Sequence, residues 1–134
     1  MLRFNKRQAE APLLLDRQAL IEHLEEHLVE RIPSAVAALP RGLLWAMLNE
    51  TIRIAFWMRI FDVEHLRFFT VLRWEMAPGF YREPRLWRIV ANVDRPEAER
   101  MEALGNPDLE DAWQAAIAGA DPDHWQDRPE MLAQ

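Results

Sequence analysis

Residues 56–84, FWMRIFDVEHLRFFTVLRWEMAPGFYREP, decide how this chain is read. The first six close an apolar helix. Asp62 then offers an N-cap, and Leu66, Phe69, Leu72, Arg73 and Met76 recur at spacings of three and four, with Leu66, Phe69, Leu72 and Met76 the main stripe of one helix face. Pro78 and Gly79 break that helix, and Pro84 suits the first turn of another. Nothing here alternates as a half-buried strand must, so the stretch predicts helix packed on helix.

Upstream, Asp16 predicts the cap of a helix over 17–32. Leu20, Ile21, Leu24, Leu28 and Ile32 lie on one face, and Glu22, Glu25, Glu26 and Glu30 on the other. Pro33 ends or kinks it, and Ser34 can cap a short turn to Leu39. The next helix spans 41–61. Leu43, Leu44, Met47, Leu48, Ile52, Ala55, Phe56, Ile60 and Phe61 cover most of its circumference, which predicts a central helix packed on several sides.

Downstream, a short helix over 84–92 is expected. Asp94 with Glu97 forms an approximate capping box for a helix ending near Leu104, with Gly105 as C-cap. Asn106 and Pro107 start a further helix that Gly119 closes. The expectation is a single compact all-α domain of about six helices. It divides into a short arm (1–15), a helical core (16–119) and an acidic tail (120–134) that holds one turn and is otherwise extended.

The composition narrows the function classes. The 134 residues contain no cysteine, so disulfides and cysteine-ligated zinc are excluded, as suits a reducing cytoplasm. Only residues 13–15 form an apolar run near the N-terminus, too short for the hydrophobic region of a signal peptide. The most apolar window, 42–61, contains Asn49, Glu50, Arg53 and Arg59, which are costly in a bilayer, so no membrane span is expected. Fifteen of the sixteen basic side chains are arginine, a bias read as that of a GC-rich bacterial genome. Residues 1–93 hold 13 basic and 11 acidic side chains, whereas residues 94–134 hold 3 and 11. An acidic C-terminal third disfavours nucleic acid and favours encounter with a basic protein, although a solvated surface would look the same.

Catalytic patterns are sparse. His23, Glu26 and His27 match H-x-x-E-H, which on a helix places two imidazoles one turn apart with a carboxylate as base. A metal site needs a third ligand, and His65 and His124 lie in no ligand motif. Ser34 is the only serine and has no supporting triad motif, and the four glycines are scattered at helix boundaries and form no phosphate loop. The arginines alternate with carboxylates and form no nucleic-acid stripe. No enzyme activity, cofactor or metal is therefore expected.

Six tryptophans are the more informative feature. Trp45 and Trp74 are expected in the core. Trp113 and Trp125, among acidic residues, are either exposed anchors or core fillers. Trp57 shares a helix face with Asn49, Glu50 and Arg53 and can reach the surface. Tyr81 and Arg82, on a rigid turn between prolines, either contact a partner or plug the gap between helices. The candidate partner-binding residues are Trp57, Tyr81, Arg82, Trp87, Trp113 and Trp125.

Residues 58–84 also carry a resemblance. Ile60, then Leu66, Phe69, Leu72 and Trp74, then Pro78, Phe80 and Pro84 fall at the spacing of a motif in small helical proteins encoded beside type VI secretion spike, PAAR and effector genes. HLVERIPSAVAAL upstream and RPEAERMEAL downstream resemble the flanking helices of that family, so the likeness spans about residues 17–104. Met58-Arg59 replaces a Tyr-Gly pair of the motif, His65 an acidic helix start and Tyr81 an aspartate. The resemblance implies a cytoplasmic bacterial adaptor or chaperone that helps load an effector toxin onto a spike or PAAR protein, with a second chaperone as a further partner. It implies no catalytic residue. The alternative is an immunity protein that neutralises a cognate toxin.

Overall fold

The computed structural model describes residues 16–132. The expected N-terminal arm and the last two residues lie outside them. Eight α-helices follow in order among the described residues: α1 (Arg17–Arg31), α2 (Pro33–Ala37), α3 (Arg41–Trp57), α4 (Val63–Glu75), α5 (Pro84–Val90), α6 (Glu97–Ala103), α7 (Glu110–Ala118) and α8 (Pro129–Leu132). Six of them have seven or more residues, and no strand occurs among the described residues. The chain forms one all-α domain.

Local chemistry explains the starts. Asp16 accepts from the Ala19 amide, and Asp62 from that of Glu64. Glu83 takes the amides of Arg85 and Leu86, with Pro84 beside it in the first turn of α5. The predicted stripe of α1 is the buried one: Leu20, Ile21, Leu24 and Leu28. They pack against α3 and α4, where Leu48, Ile52, Leu66 and Phe69 are fully inside. Each such apolar side chain is worth about 1.5–3 kcal/mol when withdrawn from water. α1 and α3 run antiparallel, because Arg17 reaches Asn49 at 2.8 Å near one end while Arg41 reaches Glu25 at 3.1 Å near the other.

α3 differs from expectation twice. One side lies open: Leu43 is half exposed and, with Met47 and Trp125, lines a groove of about 570 Å³. The helix also stops at Trp57, four residues early. The Ile60 amide bonds Ala55 O and the Arg59 amide bonds Phe56 O, both at 2.9 Å, which closes the helix in a Schellman turn. Arg59 occupies the left-handed position of that turn, with φ 58°. Arg59→Gly is expected to raise the unfolding free energy by about 0.5–1 kcal/mol. Left-handed backbone costs a residue with a Cβ more than the extra unfolded-state entropy of glycine costs in return. Urea denaturation followed by tryptophan fluorescence measures the gain.

The capping box expected at Asp94 and Glu97 is not formed. Pro96 precedes α6, and the Glu97 carboxylate instead accepts from the amides of Phe61 and Asp62 and meets His65. It thus ties α6 to the start of α4. The tail is not extended either. Residues Pro122–Gln126 form a 3-10 turn and α8 follows, both against α3.

Candidate functional site

Two constructions stand out: an open aromatic surface and a clamped C-terminal segment. The first is organised by Arg100, which is 2% exposed. Its guanidinium donates to Met58 O and Val90 O at 2.8 Å, to Arg59 O at 3.2 Å and to Arg95 O at 3.0 Å. These are mostly carbonyls that the ends of α3 and α5 leave without helical partners. Burial lowers the Arg100 pKa, and the nearby Glu97 opposes that effect. By drawing the two helix ends together, Arg100 gathers their aromatic residues. Trp57 meets Trp87 at 5.9 Å between ring centroids, Phe56 meets Phe61 at 5.4 Å, and the Arg17 guanidinium lies over Phe56 at 5.4 Å. Trp57 is 38% exposed, Phe61 44% and the following Val93 40%. Apolar groups are left in water at the junction of three segments.

The second construction holds the tail. Arg73, fully buried on α4, donates to Pro78 O at 2.7 Å, Thr51 Oγ1 at 2.8 Å and His124 O at 2.9 Å. Burial lowers its pKa, with Tyr81 and Asp127 opposing. Asp127, 2% exposed, accepts from the Tyr81 hydroxyl at 2.6 Å and from Arg82 Nη2 and Nε at 2.6 and 2.9 Å. Burial pushes the Asp127 carboxyl up, but the hydrogen bonds from Arg82 and then Tyr81 outweigh it and hold the group below the usual carboxylate range. Burial likewise pushes the Tyr81 phenol up, against the pull of Arg73. Trp125 packs on Trp74 at 4.3 Å and under the Arg73 guanidinium at 4.7 Å. Arg53 reaches Glu130 at 2.6 Å. Gly79 permits the close approach, since a Cβ there would meet the His124 ring at 2.4 Å.

The candidate residues therefore separate. Trp57 and Trp87 come together on the open surface. Tyr81 does not reach solvent: the turn Phe80–Arg82 inserts into the core, where Phe69 and Phe80 pack edge to face at 5.3 Å and Phe69 stacks on Tyr81 at 6.2 Å. Arg82 is exposed, but its guanidinium is committed to Asp127. Trp125 is half-buried in the clamp. Trp113 is half-buried, bonds Leu104 O at 3.0 Å and lines a groove of about 360 Å³ with Phe68, Leu72 and Met76. Trp45 and Trp74, expected in the core, are also half-buried. Trp45 spans Glu25 and Arg41 rather than filling the interior.

The histidine pair on α1 meets a cation. His23 Nε2 lies 2.6 Å from Arg67, and burial, then Arg67, lowers the His27 pKa. No group of three or more potential metal ligands occurs among the described residues, nor any helix long and apolar enough to cross a membrane. The buried arginines Arg73 and Arg100 were missed by sequence reasoning. Arg73 falls within the apolar repeat of α4, the one signal that could have marked it.

These features define a helical domain with a partly exposed aromatic surface. No family model, no curated protein and no solved structure matches the chain.

Proposed function

We propose that this chain is a non-enzymatic protein-binding module, an adaptor or chaperone of bacterial cytoplasm that helps load an effector toxin onto a type VI secretion spike. The supporting observation is the aromatic surface of exposed Trp57 and Phe61 with half-buried Trp87 packed on Trp57, at helix ends whose carbonyls Arg100 holds. Rigid tryptophans beside arginines are the residues that dominate binding energy at protein interfaces. The motif resemblance of residues 58–84 supplies the choice of system, with a spike or PAAR protein, the effector or a second chaperone as partner and nucleic acid as none. Deleting the protein is expected to block delivery of one effector while the apparatus keeps firing. Trp57→Ala and Trp87→Ala are each expected to weaken capture of that partner by about tenfold or more. Undiminished capture by both variants in a quantitative pull-down would remove this surface from the reading.

A second reading is favoured by charge. Residues 97–126 carry eight carboxylates and one arginine, the buried Arg100. Such an acidic segment suits an immunity protein that covers a basic toxin cleft. An immunity protein rescues cells that express the toxin domain alone, and an adaptor does not.

A further inference from the structure

Glu110, Trp113 and Gln114 stand at positions i, i+3 and i+4 of α7 and so share one face. Phe68, Leu72 and Met76 recur every four residues along α4 and its C-cap. All six line the groove of about 360 Å³, together with Leu104 and residues 105–107, which link α6 to α7. We propose that this groove is a second contact surface, which binds a basic amphipathic segment of a partner protein. A leucine, methionine or phenylalanine of that segment enters the groove, and its arginines or lysines meet Glu102 and Glu110.

The lining is mostly apolar. Leu72 and Leu104 are buried, and Phe68, Met76 and Trp113 are half-buried. The Trp113 indole N–H already donates to Leu104 O at 3.0 Å, and its ring packs on Phe80 at 5.4 Å between centroids. The ring is thus held before anything binds, and its one polar atom is satisfied. The space admits about two large apolar side chains, the scale of an interface anchor and not of a folded face.

The structure sets carboxylates against this lining. Glu110 lines the groove itself. Residues 105–107 also line an adjoining depression, with Glu99, Glu102 and Arg95. Glu102 and Glu110 are exposed and make no hydrogen bond or ion pair among the described residues. Glu99 stands 3.8 Å from Arg95, the one cation among the described residues lining either depression.

Charge therefore selects the occupant. Carboxylates without counter-ions beside an apolar floor attract arginine and lysine. They repel phosphate and carboxylate, which sets aside nucleic acid, anionic lipid and acidic peptides. Each exposed ion pair adds little affinity, whereas a like charge forced into the same place costs more, so the rim acts mainly on selectivity. None of this depends on the Trp57–Trp87 surface, with which the groove shares no lining residue, or on the choice between adaptor and immunity protein.

The test uses the full chain with 15N-labelled tryptophan, the Trp113 indole signal being identified through W113F. Two synthetic peptides share one leucine–phenylalanine stripe; one carries arginine at its polar positions and the other glutamate. The arginine peptide is expected to shift the Trp113 resonance and to bind about tenfold tighter or more than the glutamate peptide. Glu102→Gln and Glu110→Gln are each expected to weaken it about two- to fivefold. Gln114→Arg changes an exposed residue of the lining and places a cation one turn after Glu110, where the two can pair. It is expected to weaken the arginine peptide about tenfold without lowering the thermal midpoint. Equal affinity for the two peptides, or full affinity in all three variants, would overturn the inference. So would shifts confined to Trp57 and Trp87, which would put the peptide on the other surface. Self-association of the full chain that Gln114→Arg abolishes would give the groove to a second copy and overturn it as well. Any of these failures leaves the Trp57–Trp87 surface to be judged by partner capture in Trp57→Ala and Trp87→Ala.

Discussion

Arg73→Ala is expected to lower the unfolding free energy by about 3–5 kcal/mol, the largest loss of any single side chain discussed. The guanidinium is fully buried, and its three hydrogen-bond acceptors belong to α3, to the turn after α4 and to the tail. Truncation leaves Pro78 O and His124 O without that donor and opens a cavity over the Trp125 ring. Against a total stability of about 5–15 kcal/mol for a domain of this kind, the loss is a large fraction. Arg73→Lys recovers little, because one ammonium on a flexible stem does not span three acceptors held by a planar fork. Arg73→Met restores volume but no donor, so it should lie between alanine and the native protein. Urea unfolding reports the magnitude. Amide exchange supplies the finer test: in Arg73→Ala, residues 120–132 should exchange through local opening before the rest of the domain. Uniform exchange across the chain would mean that Arg73 does not anchor the tail.

Asp127→Asn is expected to cost about 2–3 kcal/mol at neutral pH and to remove part of the acid sensitivity of the fold. The native carboxylate receives the Tyr81 hydroxyl and both arms of Arg82. Burial alone would raise its pKa, but those bonds leave it depressed relative to the unfolded chain. A depressed folded value contributes stability that is present above the unfolded carboxylate pKa of about 4 and is lost as pH falls through the folded value. The gap between native and Asp127→Asn should therefore be constant from pH 7 to about pH 5 and narrow as acid protonates the native group. Denaturation midpoints at a series of pH values measure this. A gap that stays unchanged down to strong acid would show that Asp127 contributes by shape rather than charge.

Neither effect follows from periodicity alone, and that marks the limit of what was legible: Arg73 falls within the apolar repeat of α4, but the repeat does not supply the acceptors that let a guanidinium be buried there. The stripe Leu20, Leu24, Leu28 and the run Leu66, Phe69, Leu72 could be placed inside because helical spacing is a local property. Asp16, Asp62 and Pro84 mark helix starts through bonds or dihedrals within a turn of themselves. The end of α3 was misplaced because its left-handed turn uses arginine where glycine is the usual signal. Glu97 was assigned to its own helix, yet the amides it satisfies lie 35 and 36 residues earlier. Of the six candidate contact residues, the pairing of Trp57 with Trp87 and the withdrawal of Tyr81 both depend on how distant segments meet.

The sequence by itself determined an all-helical chain, the order of its helices and most of the apolar face of each, because those follow from periodicity, capping and proline geometry. Only the tertiary structure decided which arginines go inside, which tryptophans face water and that the acidic tail is clamped. A guanidinium can be buried only where acceptors converge around it. Those of Arg73 and Arg100 come from segments as far as 51 and 42 residues away, beyond the reach of any local pattern.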